Sequence, residues 1–261
     1  MKLVMVSWLY DFPASVLVSF AAGTALVLVL LTGVVARQMP AQPARSAAAL
    51  DAYKVIVSFL AILLSFSLVQ ANALLRAADV AISAEAGAMN QLDRFLVRSH
   101  TTRTDAVRPR LQSYMQAVLD QDWPAMRQGL NTSEAQSVLG DLNRAVMSLT
   151  PADLGAKAQF YPEIIKYLDA INDARQARMD SVDAGLPAVL WETTLMLCAV
   201  LTVLATLTNA PSRLVALGGH AIAIGVLLAL TFAVDKPHRG TVSTTPAPIE
   251  RVLALIQARA D

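Results

Sequence analysis

Four long apolar runs, at residues 13–36, about 53–75, about 186–208 and 214–234, leave this 261-residue chain few folds to choose from. At a rise of about 1.5 Å per residue each is long enough to cross a hydrocarbon core of roughly 30 Å. Inside lipid the backbone must satisfy its own polar groups, so each run is expected to be a helix. Composition agrees: 55% of residues are hydrophobic and 16% charged, against about a quarter charged in soluble domains. The first run carries no charge and exceeds a secretory apolar region of roughly 7–15 residues, so it reads as a retained span. A net charge of +1 argues against a nucleic-acid partner and leaves the lipid bilayer as the principal one. The single cysteine, Cys198, lies in an apolar run and allows neither an intrachain disulfide nor a zinc cluster.

The reading is all-α: an integral membrane protein with four transmembrane helices and a helical extramembrane domain between spans two and three. Residues 1–76 hold the first two spans, 77–185 the helical domain, 186–234 the last two spans and 235–261 a tail. No break follows span two, so its helix is expected to continue into water through residue 99. There Ala78, Ile82, Glu85, Met89, Leu92 and Leu96 recur at steps of four and three, a helix-packing seam with one acid in it. A turn at 100–109 leads to a helix over 110–120 that buries Leu111, Tyr114, Met115 and Val118. Asp122-Trp123-Pro124 starts a short helix, and Ser133 to Gln136 matches a capping box. Thr150-Pro151 opens the last long helix, with Asp153 in its first turn and Pro162 kinking or restarting it. That helix is expected to run straight into span three through Gly185-Leu186-Pro187. A short tail helix over 249–259 places Val252, Leu253 and Ile256 on one side.

Four spans put the N-terminus, the domain and the tail on one side and two short loops on the other. The loop side holds Arg37, Arg45 and Arg213, with Lys54 close by; the flanks opposite hold Lys2, Arg76, Lys236 and Arg239. The basic first loop favours a cytoplasmic loop side.

Several polar residues stand out. Glu192 lies about two turns inside span three, and Gln70 and Asn72 lie at similar depth in span two. Together they form one polar layer, either at a pore or proton-coupled site, or as helix-to-helix and interfacial contacts. Arg178 is eight residues outside Leu186 and Glu85 nine outside Arg76, so the two are expected at one height, with Arg175 a turn further out. The acid is expected to pair with Arg178 or Arg175, either as a buried pair that fixes register or, if the arginines are unpaired, as an anion-attracting ring at a pore mouth. His220, in span four, reads as a pH sensor or as a helix-to-helix hydrogen bond. His100 and His238 read as surface residues, Tyr114 and Trp123 as domain core, Trp191 as an interface anchor, and Trp8 and Tyr10 as headgroup-zone aromatics. No metal spacing, glycine-rich phosphate loop or GxSxG motif is present, so the chain reads as a non-enzyme without metal or cofactor.

From Leu63 onward the chain resembles a bacterial family of unknown function described as bestrophin-like. The resemblance rests on Leu63 to Phe66 (LLSF) in span two and Ala84-Glu85-Ala86 beyond it. It continues with Ala174 to Arg178 (ARQAR) ahead of Gly185 to Trp191 (GLPAVLW), and with Asp235 to Gly240 (DKPHRG). Near the exit of span two the family pattern has an aromatic where this chain has Gln70 and Asn72. The resemblance implies a multi-pass protein of the bacterial inner membrane. It also implies a likeness to the bestrophin anion channels, which are pentamers with four spans per subunit. Four helices cannot enclose a wide pore alone, so the expected channel is a homo-oligomer whose span-two or span-three faces line the axis and pass ions. The alternative is a non-conducting membrane module whose helical domain binds a partner or transmits a signal.

Overall fold

The computed structural model describes residues 10, 12–38, 42–131, 134–208 and 213–259. Trp8, Pro40, the expected capping residue Ser133 and residues 209–212 of the second short loop lie outside these. Among the described residues there are ten α-helices and no strand. Four of the helices are long and apolar enough to cross a membrane. The helices are α1 (Ala14–Arg37), α2 (Pro43–Ser99), α3 (Thr102–Asp105), α4 (Arg108–Ala117), α5 (Trp123–Arg127), α6 (Glu134–Met147), α7 (Tyr161–Asp183), α8 (Ala188–Thr208), α9 (Leu214–Val234) and α10 (Ala247–Gln257). They fall into two compact units.

Unit one holds α1, α2 as far as Leu74, and α8 and α9 within Gly185–Lys236. Its core joins Tyr53, Leu60 and Leu64 of α2 to Leu201 and Ala205 of α8 and Leu217 of α9. The hydroxyls of Ser58, Ser65 and Ser67 donate to carbonyls four residues earlier in α2, which removes their cost in an apolar setting. Where α1 meets α9, a Cβ on Gly225 would stand 3.0 Å from the carbonyl oxygen of Ala21. Glycine is what lets the two backbones approach so closely.

Unit two holds Leu75–Ala184, Pro237–Arg239 and Ser243–Asp261. All six seam residues, Ala78, Ile82, Glu85, Met89, Leu92 and Leu96, are buried. Ile82, Met89, Leu92 and Leu96 pack with Leu111, Tyr114 and Met115 of α4, Leu139, Leu142 and Val146 of α6, and Ile164, Leu168 and Ile171 of α7. The tail adds Ile249, Leu253 and Ile256 of α10 to the same core.

Three local features depart from simple helix reading. Residues 108–127 run as α4, a π turn over Val118–Asp122 and α5, not as two separate helices. Pro124 would clash with the carbonyl four residues back, and a widened turn moves that carbonyl aside. The segment after Thr150 is a 3-10 stretch, Pro151–Phe160, interrupted at Gly155 with φ 55°, a backbone state glycine adopts without strain. Its start is fixed by Asp153, whose carboxylate accepts from the Thr150 backbone N–H and hydroxyl, both at 2.8 Å. Pro162 then sits in the first turn of α7, so the helix restarts there.

The third departure corrects the expected continuous helix into span three. α7 ends at Asp183, Ala184 turns to ψ 145°, and α8 begins only at Ala188. Pro187 disfavours a helical conformation at Leu186 and offers no N–H itself. The Leu186 N–H is instead donated to Asp235 Oδ1 at 2.7 Å, and the hydroxyl of Tyr10 donates to Asp235 Oδ2 at 3.1 Å.

Candidate functional site

The densest polar construction lies in the core of unit two. Arg178 of α7 is fully buried and donates from Nε to Glu85 Oε2 at 2.6 Å and from Nη2 to Glu85 Oε1 at 3.2 Å. Its Nη2 also donates to Asp122 Oδ2 at 3.0 Å, and its Nη1 faces the sulfurs of Met126 and Met179 at 3.0 and 3.5 Å. Tyr114 of α4 donates its hydroxyl to Glu85 Oε1 at 2.5 Å. Arg175, one turn before Arg178, does not join Glu85; its Nη2 stands 3.5 Å from Asp122 Oδ2. Two carboxylates and two guanidiniums therefore balance in the core.

The electrostatics follow from that geometry. Burial holds the Tyr114 hydroxyl well above its ordinary pKa, and the adjacent Glu85 carboxylate adds to this. For Arg178, burial works against the charge, but Glu85, Tyr114 and Asp122 together raise its pKa above that of a free arginine. The guanidinium is thus locked as a cation, and Glu85 keeps a three-point set of donors.

His238 was expected at the surface and is instead buried in unit two. Its Nε2 and Nδ1 each lie 2.7 Å from a hydroxyl, those of Ser181 and Thr244, and Trp123 meets the ring edge-on at 6.1 Å. Burial first, and the positive charge of Arg178 second, push its pKa down to about 4. The sequence neighbourhood Asp235-Lys236-Pro237-His238-Arg239 reads as solvated, and nothing in it signals the hydroxyls that receive the ring.

Asp93 and Asp122 also escaped sequence reasoning. Asp93 is fully buried and takes Arg108 Nε at 2.8 Å and Arg259 Nη1 at 2.9 Å, while Arg259 Nη2 reaches Asn90 Oδ1 at 2.9 Å. Asp93 does follow Leu92 on the seam, and an acid beside a buried position is the signal that could have found it. Asp122 stands before a Trp-Pro pair and looked like a helix start.

In unit one the expected polar layer is arranged differently. Gln70 and Glu192 are exposed on the single chain, and Asn72 is half-buried with its amide donated to the Leu68 carbonyl at 2.9 Å. Among the described residues no hydrogen bond joins the three. His220 is exposed, with its Nδ1 2.8 Å from the Ala216 carbonyl of its own helix and its ring edge-on to Tyr53 at 6.1 Å. Trp191 meets Phe232 edge-on at 6.0 Å.

One face of α2 is conspicuous for what it lacks. Val55, Phe59, Ile62, Phe66, Val69 and Val80 are each at least 54% exposed. Ala73, Ala77, Ala84 and Gly87, also exposed, continue the stripe at steps of three and four. No group of three or more His, Cys, Asp or Glu suited to a metal occurs among the described residues.

Comparison with known proteins gives the family and the fold. The model of a Bestrophin-like domain matches residues 16–249. The crystal structure of a point-mutated bacterial bestrophin homologue from Klebsiella pneumoniae aligns with a TM-score of 0.65 at 13% identity, covering 92% of this chain and 95% of that one. At that identity the match concerns the fold. None of the curated proteins matches the chain in sequence.

Proposed function

This chain belongs to the bestrophin-like family, and from that premise we propose that it forms a homo-oligomeric, anion-conducting channel in the bacterial inner membrane, with α2 facing the axis. The observation that carries this reading is the bare stripe on α2. From Val55 to Gly87 it runs about 48 Å at 1.5 Å per residue, well beyond the roughly 30 Å of hydrocarbon that a bilayer offers. Lipid alone cannot cover it. Copies of the same helix arranged about a closed symmetry axis can, and five copies follow from likeness to the bestrophins.

Such a ring encloses an axis lined by Phe59, Ile62, Phe66 and Val69. An apolar constriction of this kind gates by wetting and dewetting. Aromatic rings carry a positive edge, so Phe59 and Phe66 turned edge-on favour anions over cations. Gln70, Asn72 and Glu192 form the polar layer next to the constriction, where a dehydrated ion regains polar contacts. Glu85, Arg175 and Arg178 are structural in this reading: their charges are spent on one another and on Asp122, and they hold α2 against α7.

The full chain reconstituted in planar bilayers is expected to give currents that reverse near the chloride equilibrium potential in a salt gradient. Phe66→Ala is expected to raise unitary conductance, and Glu192→Gln to alter it. A monomer in mild detergent overturns the reading. So does an intact oligomer that stays silent across salts and pH, which would favour a non-conducting signalling module. Cation-selective currents would remove the anion assignment.

A further inference from the structure

Unit one contains an elongated apolar cavity of about 420 Å³ between α1, α8 and α9, with Tyr53 of α2 at one end. On α1 its lining runs from Leu17 to Thr32, about 22 Å of helix, so it has the form of a channel for a chain and not of a round pocket. Phe20, Leu28 and Leu195 line it and remain exposed, so it opens sideways, toward lipid. The hydroxyls of Thr32 and Thr202 in its wall donate to carbonyls of their own helices, which leaves that wall apolar. A dry apolar cavity takes an apolar occupant, and within a bilayer the abundant one is an acyl chain.

The end marked by Tyr53 differs from the rest. Tyr53 is 5% exposed and lines the cavity, yet its hydroxyl makes no hydrogen bond among the described residues. A side chain with an apolar body and a polar tip suits the boundary between an acyl chain and its ester. Thr32, Ala205 and Ala221 line the cavity toward the end of unit one where α1 and α8 finish and α9 starts. At that end Arg37 closes α1 five residues past Thr32, and Arg213 precedes α9 with Nη1 buried and without a hydrogen-bond partner among the described residues. Asp51, the acid nearest to Arg37 in sequence, is already paired with Lys54 at 3.1 Å. The charge left over is positive and suits a phosphodiester.

We propose that this cavity binds one anionic glycerophospholipid. Its acyl chain lies along α1, Tyr53 donates its hydroxyl to an ester oxygen, and Arg37 and Arg213 hold the phosphate.

The test uses the full chain in bilayer nanodiscs containing phosphatidylglycerol or phosphatidylcholine of matched chains, each with a photoreactive group on the acyl chain. Crosslinks are expected to concentrate on Thr24, Leu28, Ile224 and Leu228, with phosphatidylglycerol at least fivefold preferred. Thr24→Trp fills the cavity from its exposed side and is expected to cut these crosslinks at least tenfold while the protein still elutes as the wild type does. Tyr53→Phe, and Arg37→Gln with Arg213→Gln, are expected to reduce the preference toward unity while chain crosslinks persist. Excess inorganic phosphate is expected not to compete. Crosslinks spread evenly over the outward residues Val27, Leu30 and Leu31 and indifferent to Thr24→Trp would overturn the proposal. Equal labelling by the two lipids in the wild type would overturn it too, as would a benzoylphenylalanine in place of Leu28 that captures a second copy of the chain instead of lipid.

Discussion

In unit two, Glu85, Asp122, Arg175 and Arg178 sit among leucines, methionines and aromatics, each carboxylate facing a guanidinium. In unit one the buried core is apolar, the one buried carboxylate among the described residues, Asp235, takes a backbone N–H and a tyrosine hydroxyl, and Gln70 and Glu192 lie on the outside of the single chain. The first arrangement is nearly closed: each carboxylate has a guanidinium within one chain, although Arg175 Nε and Nη2 are buried and make no hydrogen bond among the described residues. The second is open, because an exposed glutamate among apolar residues is costly in lipid unless protein or water meets it. The contrast teaches that unit two is complete as a monomer's core, whereas unit one carries surfaces that make sense only with more molecules around it.

The strongest way to break this contrast is to open the closed side. Arg178→Met leaves Glu85 buried with only Tyr114 and is expected to cost about 3–5 kcal/mol, read by denaturant unfolding of the detergent-solubilised chain. Glu85→Leu combined with Arg178→Met removes both charges and is expected to cost less than the single change. A double variant worse than Arg178→Met would show that the pair stabilises the core outright.

A second, smaller effect comes from pH. His238 has its folded pKa pushed down to about 4, against about 6.5 unfolded. The unfolded state binds the proton first, so this contribution is complete above about pH 6.5 and is lost as pH falls toward 4. It amounts to about 3 kcal/mol. Comparing unfolding of wild type and His238→Gln across that window isolates it: the variant is expected to show a flatter slope. Parallel slopes would mean that the ring is not held neutral.

The smallest stability effect is expected on the open side. Glu192→Gln should change unfolding by no more than about 0.5 kcal/mol. A loss comparable to that of Arg178→Met would place Glu192 in a closed network after all and erase the distinction between the units.

Much of the architecture was readable from spacing alone. The seam from Ala78 to Leu96 is periodic, so its burial follows from helix geometry. Glu85 and Arg178 could be brought together by counting residues from the ends of two apolar runs. The same arithmetic could not find Asp122 or Asp93, because their partners are chosen by loops and a tail whose paths carry no period. Arg259 reaches Asp93 across 166 residues of sequence. His238 was misread because local polarity describes what flanks a residue in the chain, not what covers it in space. The junction at Gly185-Leu186-Pro187 was expected to be helical and is not. Proline's effect on the residue before it gave the break, and Asp235, far along the chain, supplied the acceptor that makes it stable.

The docking of α10 has a consequence for how the protein is made. Unit two begins at Leu75 yet draws Ile249, Leu253, Ile256 and Arg259 into its core and around Asp93. Those residues leave the ribosome only after α8 and α9 have been synthesised. At 5–20 residues per second, the interval from Ala184 to Arg259 is roughly 4–15 s. Throughout it the helices over 75–184 stand with an apolar face and a buried aspartate's site still uncovered. The spans that follow are therefore made and inserted while the core of unit two is still incomplete.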